Sequence, residues 1–186
     1  MTSKRLGKTA AVLALGLAAL ALTASPAFAQ ATVTYDLAAV EGTWTAPDGV
    51  TTVPMWGFVP DTGGCPTPGA WVLPAPLTAA AGDTLVINLR NCLSSEPVSM
   101  IIPGQIKPTA PETFVDGQGR TRVSSFDVAA PADAGATTTS YTWSDIKAGT
   151  YLYYTAAHPA VGVQMGLYGA LTVDSSLGAG CAYSRR

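Results

Sequence analysis

Histidine is almost absent from this sequence: among 186 residues there is one, His158. Copper and zinc sites in proteins usually need several imidazole or thiolate ligands held close together. The three cysteines, Cys65, Cys92 and Cys181, are widely spaced, so they form no metal-binding motif with that histidine. The chain alone also lacks the two histidines and the converging thiolate of a blue-copper site.

Charged residues are few as well, at 12% of the chain, and the formal net charge is −2. All 12 acidic residues follow position 30, whereas Lys4, Arg5 and Lys8 supply three of the ten basic residues. Without its first segment the chain would carry seven basic residues against 12 acidic ones. This balance argues against nucleic acid as a partner.

Long apolar runs are missing except near the N-terminus, where residues 10–22 follow three basic residues and precede Ala27-Phe28-Ala29. This order is typical of a secretory signal peptide. It predicts a signal peptide over residues 1–29, cleavage after Ala29, and a periplasmic or extracellular location. The run is shorter than the roughly 20 residues that span a bilayer, and no later segment replaces it, so we expect no membrane span after cleavage.

In an oxidising compartment the cysteines can form disulfides. Cys65 lies in a loop rich in glycine and proline, and Cys92 follows a predicted strand. These positions favour a Cys65–Cys92 pair, although the sequence leaves the connectivity open. One cysteine must then be left over or pair between chains.

The 157 residues that remain after cleavage are enough for one domain. Short runs of β-branched and aromatic residues, separated by turn signals, predict about eight strands and no helix. Prolines predict a long irregular connection from Gln105 to Asp116. The fold class is therefore all-β, an antiparallel sandwich or Greek-key barrel, over residues 30–175, with a linker-like tail over 176–186. The main predicted strands are Thr32–Trp44, Val50–Phe58, Thr84–Asn91, Val98–Ile102, Arg120–Val128, Ser140–Trp143, Tyr151–Thr155 and Met165–Val173.

Three stretches carry a resemblance to a known family: Val50–Phe58, Ala81–Asn91 and, above all, GTYLYYTAAHPAVGVQMGLYGALTV at Gly149–Val173. Together they resemble the first plastocyanin-like (cupredoxin) domain of multicopper oxidases. The resemblance implies a cupredoxin-like Greek-key β-sandwich. It also implies copper as the family cofactor, copper-dependent oxidoreductase activity, and further cupredoxin domains or subunits as partners.

In that family the first domain gives two His-x-His pairs to a copper cluster. The resemblance places Ile101 and Pro103 at the first pair and Tyr154 and Ala156 at the second. None of these side chains can replace a neutral imidazole in that geometry. We therefore expect no resident copper and no catalytic residue in this chain alone. The chain would share the fold of the family without its copper chemistry.

His158 and Met165 are the remaining candidates for a copper ligand, and the two alone would make a weak and labile site. His158 is either a surface imidazole that takes up copper or a hydrogen-bonded loop residue, and the second interpretation is favoured. Met165 is expected to fill the core on the closing strand.

Three functions stay open. The favoured one is a structural or interaction module without copper, either free-standing or a fragment of an oxidase-like protein. The alternatives are a copper-binding or electron-transfer protein and part of an oxidase completed by other domains or subunits. Whether the chain is an enzyme is left undecided. Two pairs of loop carboxylates, Glu112 with Asp116 and Asp127 with Asp133, are not placed around any substrate by the sequence.

Overall fold

The computed structural model describes residues 30–74, 76–107 and 110–175. The predicted signal peptide, the predicted tail and Cys181 lie outside these residues. Within them the chain forms ten strands and one short helix, α1 (Pro159–Met165). The strands are β1 (Thr32–Thr45), β2 (Thr52–Pro60), β3 (Gly69–Ala70), β4 (Leu77–Ala80), β5 (Thr84–Asn91), β6 (Glu112–Val115), β7 (Thr121–Ser125), β8 (Thr138–Trp143), β9 (Gly149–Tyr154) and β10 (Tyr168–Asp174).

Two sheets enclose the core. The larger has the order β2-β1-β5-β8 with β3 beside β1, and the smaller has the order β4-β10-β9. Neighbouring strands are antiparallel except in the β1–β3, β1–β5 and β4–β10 pairs, which are parallel. Strands that are distant in sequence thus become neighbours, as in a Greek key. The predicted all-β Greek-key sandwich is confirmed.

Alternation of side chains builds the core from both sheets. In β5, Leu85, Ile87 and Leu89 are fully buried while the residues between them are partly exposed. In β10, Leu171 and Val173 are buried in the same alternating way. Because successive side chains point to opposite faces of a strand, each of these strands presents one apolar face to the core.

The expectation of no helix was wrong, because α1 has only seven residues, too few for a helical period to be recognised in sequence. Pro159 occupies its first turn, where a missing N–H costs nothing, and Gly166 ends it with a φ of 113°. Met165 is therefore the last residue of the helix and is partly exposed. The closing strand begins only at Tyr168, so the placement of Met165 on it was also wrong.

Two further boundaries differ from the sequence analysis. Val98–Ile102 forms no continuous strand, and only Val98 and Ile101 make single β-bridges. The connection predicted to be irregular contains β6, which starts directly after Pro111, where the prolines end. β6 and β7 pair only with each other and form a separate two-stranded sheet, the β6–β7 hairpin.

Candidate functional site

The two segments that the resemblance singled out lie side by side. Ile101 and Tyr154 form an antiparallel β-bridge. The Ile101 amide donates to the Tyr154 carbonyl at 3.0 Å, and the Tyr154 amide donates to the Ile101 carbonyl at 3.1 Å. Direct backbone hydrogen bonds therefore join these segments.

The four residues at the places of the family's missing ligands differ in exposure. Ile101 and Tyr154 are half-buried, Pro103 is exposed and Ala156 is fully buried. An isoleucine, a proline and an alanine offer no side-chain donor atom to a metal ion, and Tyr154 offers only a phenol oxygen. This donor set does not fit a copper cluster, which needs imidazole nitrogens.

Buried hydroxyl groups beside this bridge have protein partners. The hydroxyl of Ser99 lies 2.8 Å from that of Ser125, which donates to the Asp127 carbonyl at 2.5 Å. The Thr155 hydroxyl donates to the Ala157 carbonyl at 3.0 Å. Because their polar atoms are already satisfied, these side chains act as internal hydrogen-bonding residues.

A buried ion pair lies beside these hydroxyl groups, and no sequence pattern had indicated it. The Lys107 ammonium contacts the Asp127 carboxylate, whose side chain is only 1% exposed. The ammonium also lies 5.1 Å from the ring centroid of Tyr141 and 5.7 Å from that of Trp143. Burial, followed by the charge of Asp127, raises the pKa of Tyr141 well above its usual range. Twenty residues separate the two charges, and no local motif links them.

The other carboxylates named in the sequence analysis accept hydrogen bonds from their own turns or from neighbouring segments. Asp133 accepts hydrogen bonds from Ala136 and Thr137, and Asp116 accepts them from Arg120 and Arg122. The carboxylate of Glu112 accepts the Ala129 amide at 3.2 Å.

His158 lies at the N-cap of α1 in a left-handed conformation, with a φ of 42°. Its Nδ1 lies 3.0 Å from the Glu96 carboxylate, and the side chain is 55% exposed. Met165 lies at the other end of α1, about 10 Å further along the helix axis. The two candidate ligands therefore lie at opposite ends of α1.

The favoured cysteine pair is present: Cys65 and Cys92 form a disulfide with Cα atoms 5.4 Å apart. It ties the loop after β2 to the end of β5. A cavity of about 230 Å³ lies nearby, between β1, β2 and residues 66–72. Its one ionisable lining residue is Glu41, whose carboxylate accepts hydrogen bonds from Ser94. None of the four residues at the places of the missing ligands lines this cavity.

Across residues 30–74, 76–107 and 110–175, no group of three or more histidine, cysteine, aspartate or glutamate side chains is arranged to hold a metal ion. In the same residues no helix is long and apolar enough to span a bilayer.

Similar folds occur in much longer chains. A multi-copper oxidase from Pseudomonas thermotolerans superimposes with a TM-score of 0.55 at 18% identity, over 82% of this chain and 32% of its own. A copper nitrite reductase from Nitrosomonas europaea superimposes with a TM-score of 0.51 at 23% identity, over 78% of this chain and 42% of its own. A laccase from Botrytis aclada superimposes with a TM-score of 0.53 at 22% identity, over 78% of this chain and 23% of its own. The chain thus spans less than half of each structure, and at these identities the likeness establishes the cupredoxin fold alone.

No curated protein matches the sequence significantly. The family model described as multicopper oxidase matches residues 68–177, which is more than half of the chain. The matched range contains β5, the Ile101–Tyr154 bridge and the closing strands β9 and β10. The chain therefore belongs to the multicopper oxidase family.

Proposed function

We propose that this chain is an exported, copper-free cupredoxin module with a structural or interaction role. The observation that carries the proposal is the Ile101–Tyr154 bridge. Where the resemblance puts copper ligands on two neighbouring segments, this chain joins the segments through their backbones. A metal ion is not needed to hold them together.

The surroundings of the bridge support the same role. Ala156 is fully buried, and its carbonyl accepts the Phe126 amide at 3.3 Å. The hydroxyls of Ser99, Ser125 and Thr155 are buried and hydrogen-bonded. Each of these hydroxyls donates its proton to a protein partner and is shielded from solvent, as expected of groups with a structural role.

The second candidate is copper binding or electron transfer, and His158 is the observation that favours it. An exposed imidazole beside the Glu96 carboxylate offers two ligand types that Cu²⁺ accepts. Two ligands make a weak site, and an electron-transfer copper site has at least three. An oxidase completed by further cupredoxin domains or subunits would additionally require those partners to supply the missing imidazoles.

A copper titration separates these functions. Residues 30–186 should be purified, loaded with Cu²⁺, desalted and measured for bound metal, with optical and paramagnetic resonance spectra. We expect no tightly bound copper and no strong charge-transfer band. One tight equivalent per chain would overturn the proposal. A weak uptake that is lost in both His158→Ala and Glu96→Gln, while both remain folded, would support the second candidate.

Export is tested separately. Expression of the full-length gene in a secreting host, followed by intact-mass measurement, should give a chain beginning at Gln30. A protein that keeps its N-terminal segment inside the cell would contradict the proposed export.

A further inference from the structure

The contact between Lys107 and Asp127 joins an amine and a carboxyl group that are both shielded from water. The side chain of Lys107 is 15% exposed and that of Asp127 is 1% exposed. We propose that these two side chains form a covalent amide bond, an isopeptide cross-link, once the chain has folded. The inference goes beyond the copper-free role and does not depend on it.

The cross-link needs no reagent beyond the two side chains. The Lys107 nitrogen first gives a proton to Asp127 Oδ2, and its freed electron pair then forms a bond to Cγ. The bond between Cγ and Oδ2 breaks while Oδ2 takes a second proton from the nitrogen and leaves as water. An ammonium and a carboxylate thus become one neutral amide and one water molecule, and nothing is oxidised or reduced.

The contact supplies the proximity that this reaction requires. An amine nitrogen in hydrogen-bonding contact with a carboxylate oxygen lies about 3–3.5 Å from the carboxyl carbon, the separation of a near-attack conformer. Holding two groups in this way can be equivalent to a reactant concentration of about 10⁵–10⁸ M. The torsion about the Cβ–Cγ bond of an aspartate is soft, so the carboxyl group can turn its face toward the nitrogen.

The rings of Tyr141 and Trp143 shield the Lys107 nitrogen from water. Both residues are fully buried, and their ring centroids lie 5.1 and 5.7 Å from that nitrogen. A charged pair is costly to desolvate in such a site, whereas the amide that replaces it is neutral. Because water is the reagent that would reverse the reaction, its exclusion also protects the product.

A backbone donor lies where charge develops during the reaction. Asp127 Oδ1 accepts a hydrogen bond from the Val128 amide at 2.7 Å, while Oδ2 contacts Lys107. When the nitrogen attacks Cγ, negative charge develops on the oxygen that stays, which is Oδ1. A fixed N–H donor at that oxygen stabilises the tetrahedral intermediate. The two oxygens of Asp127 are therefore held in the two different roles that the reaction needs.

A second lysine–aspartate pair provides an internal comparison. Lys147 Nζ lies 2.6 Å from an oxygen of Asp145, but the two side chains are 59% and 66% exposed. Water solvates both charges there and competes with the amine for the carboxyl group. We expect no amide at this exposed pair.

The cross-link holds the base of the β6–β7 hairpin. Lys107 precedes β6 and Asp127 follows β7, so an amide between them closes a loop around the hairpin. Among the described residues this hairpin joins neither sheet of the sandwich, and a single bridge from Ser125 to Ala157 connects it to the β9–α1 loop. A covalent link keeps the hairpin in place when such hydrogen bonds open.

A peptide map of the protein expressed from the full-length gene tests the inference. Trypsin cuts after lysine and arginine unless a proline follows, as one does at Lys107. Lys107 and Asp127 therefore fall in separate tryptic peptides, residues 91–120 and 123–147. After denaturation, reduction and alkylation, we expect one species with the summed mass of both peptides less one water. Tandem mass spectrometry should locate the link at Lys107 and Asp127.

Lys107→Arg is the matched variant, because a guanidinium keeps the positive charge opposite Asp127 but does not form the amide. It should release the two peptides separately. Lys147→Arg is the control and should retain the linked species. Circular dichroism checks that both variants are folded.

Two separate peptides from the parent protein, each at its full mass, would overturn the inference whether or not the variants fold. A linked species that persists in Lys107→Arg, or whose link maps to other residues, would overturn it as well. The copper titration reports on the proposed function independently. Tight copper would overturn the copper-free role alone, whereas separate peptides from a copper-free protein would overturn only the cross-link.

Discussion

The ring of Tyr153 packs directly on Gly169, its partner across the β9–β10 ladder. A Cβ atom at position 169 would collide with the ring and the hydroxyl of Tyr153. Tyr153 is fully buried, and its ring centroid lies 5.8 Å from that of Phe58. The second glycine of the Met-Gly-Leu-Tyr-Gly sequence is therefore required by core packing.

Gly169→Ala should lower the free energy of unfolding by about 3 kcal/mol, because overfilling a packed core displaces its neighbours. Urea denaturation followed by tryptophan fluorescence measures the change. Gly117→Ala is the control, since a Cβ there meets nothing within 4 Å. Equal losses in the two variants would contradict this account of the motif.

Removal of the Tyr153 hydroxyl should leave stability unchanged or raise it by about 1 kcal/mol. This hydroxyl is buried and has no hydrogen-bond partner among the described residues, and burying an unsatisfied polar group is costly. Tyr141→Phe is the comparison, because the Tyr141 hydroxyl donates to the Val128 carbonyl at 2.7 Å. That variant should lose about 1 kcal/mol, and a larger loss for Tyr153→Phe would refute the prediction.

Stability should fall at alkaline pH. Burial raises the pKa of Tyr153 to about 12, whereas a tyrosine in an unfolded chain titrates near pH 10. Above pH ~10 the unfolded chain has released the proton that the folded chain retains, so the stabilisation is complete below that pH and declines toward pH ~12. The slope from this residue approaches 1.4 kcal/mol per pH unit. Urea denaturation across this range should give a shallower decline for Tyr153→Phe; identical slopes would contradict the assignment.

The Lys107–Asp127 pair should be costly to break from one side. Lys107→Ala leaves a buried carboxylate without its partner and should cost about 3 kcal/mol. Lys147→Ala is the matched control, because Lys147 and Asp145 form an ion pair with side chains 59% and 66% exposed. The exposed pair should contribute less than about 1 kcal/mol. Thermal and urea denaturation of both variants give the comparison, and equal effects would show that the buried pair is not structurally important.

Much of the fold could be predicted because the alternation of apolar and polar residues along a strand is visible in a short stretch of sequence. The exposure pattern of β5 follows its sequence residue by residue, and its predicted limits, Thr84–Asn91, are those observed. α1 was missed because a helix of seven residues is defined by its ends, a proline and a left-handed glycine. β6 was missed because the prolines before it dominated the interpretation of that segment.

The site was predictable only in part. The resemblance indicated two segments, and the structure places Ile101 of one against Tyr154 of the other. The Lys107–Asp127 pair could not be found, because contact between distant charges depends on how two loops pack. His158 and Met165 were considered together because they are near in sequence, and a short helix that the sequence did not reveal separates them.

The first strand of the sandwich is also one of its inner strands. β1 lies between β2 and β5, and its parallel register with β5 begins at Thr32 and Thr84. A chain that has emerged only as far as β2 can form a single hairpin, which is marginal in water. The larger sheet therefore cannot form before residues 84–91 are available to pair with β1. Such non-local pairing makes folding slow. Until that point β1 has no partner on one of its two edges, and the larger sheet is incomplete.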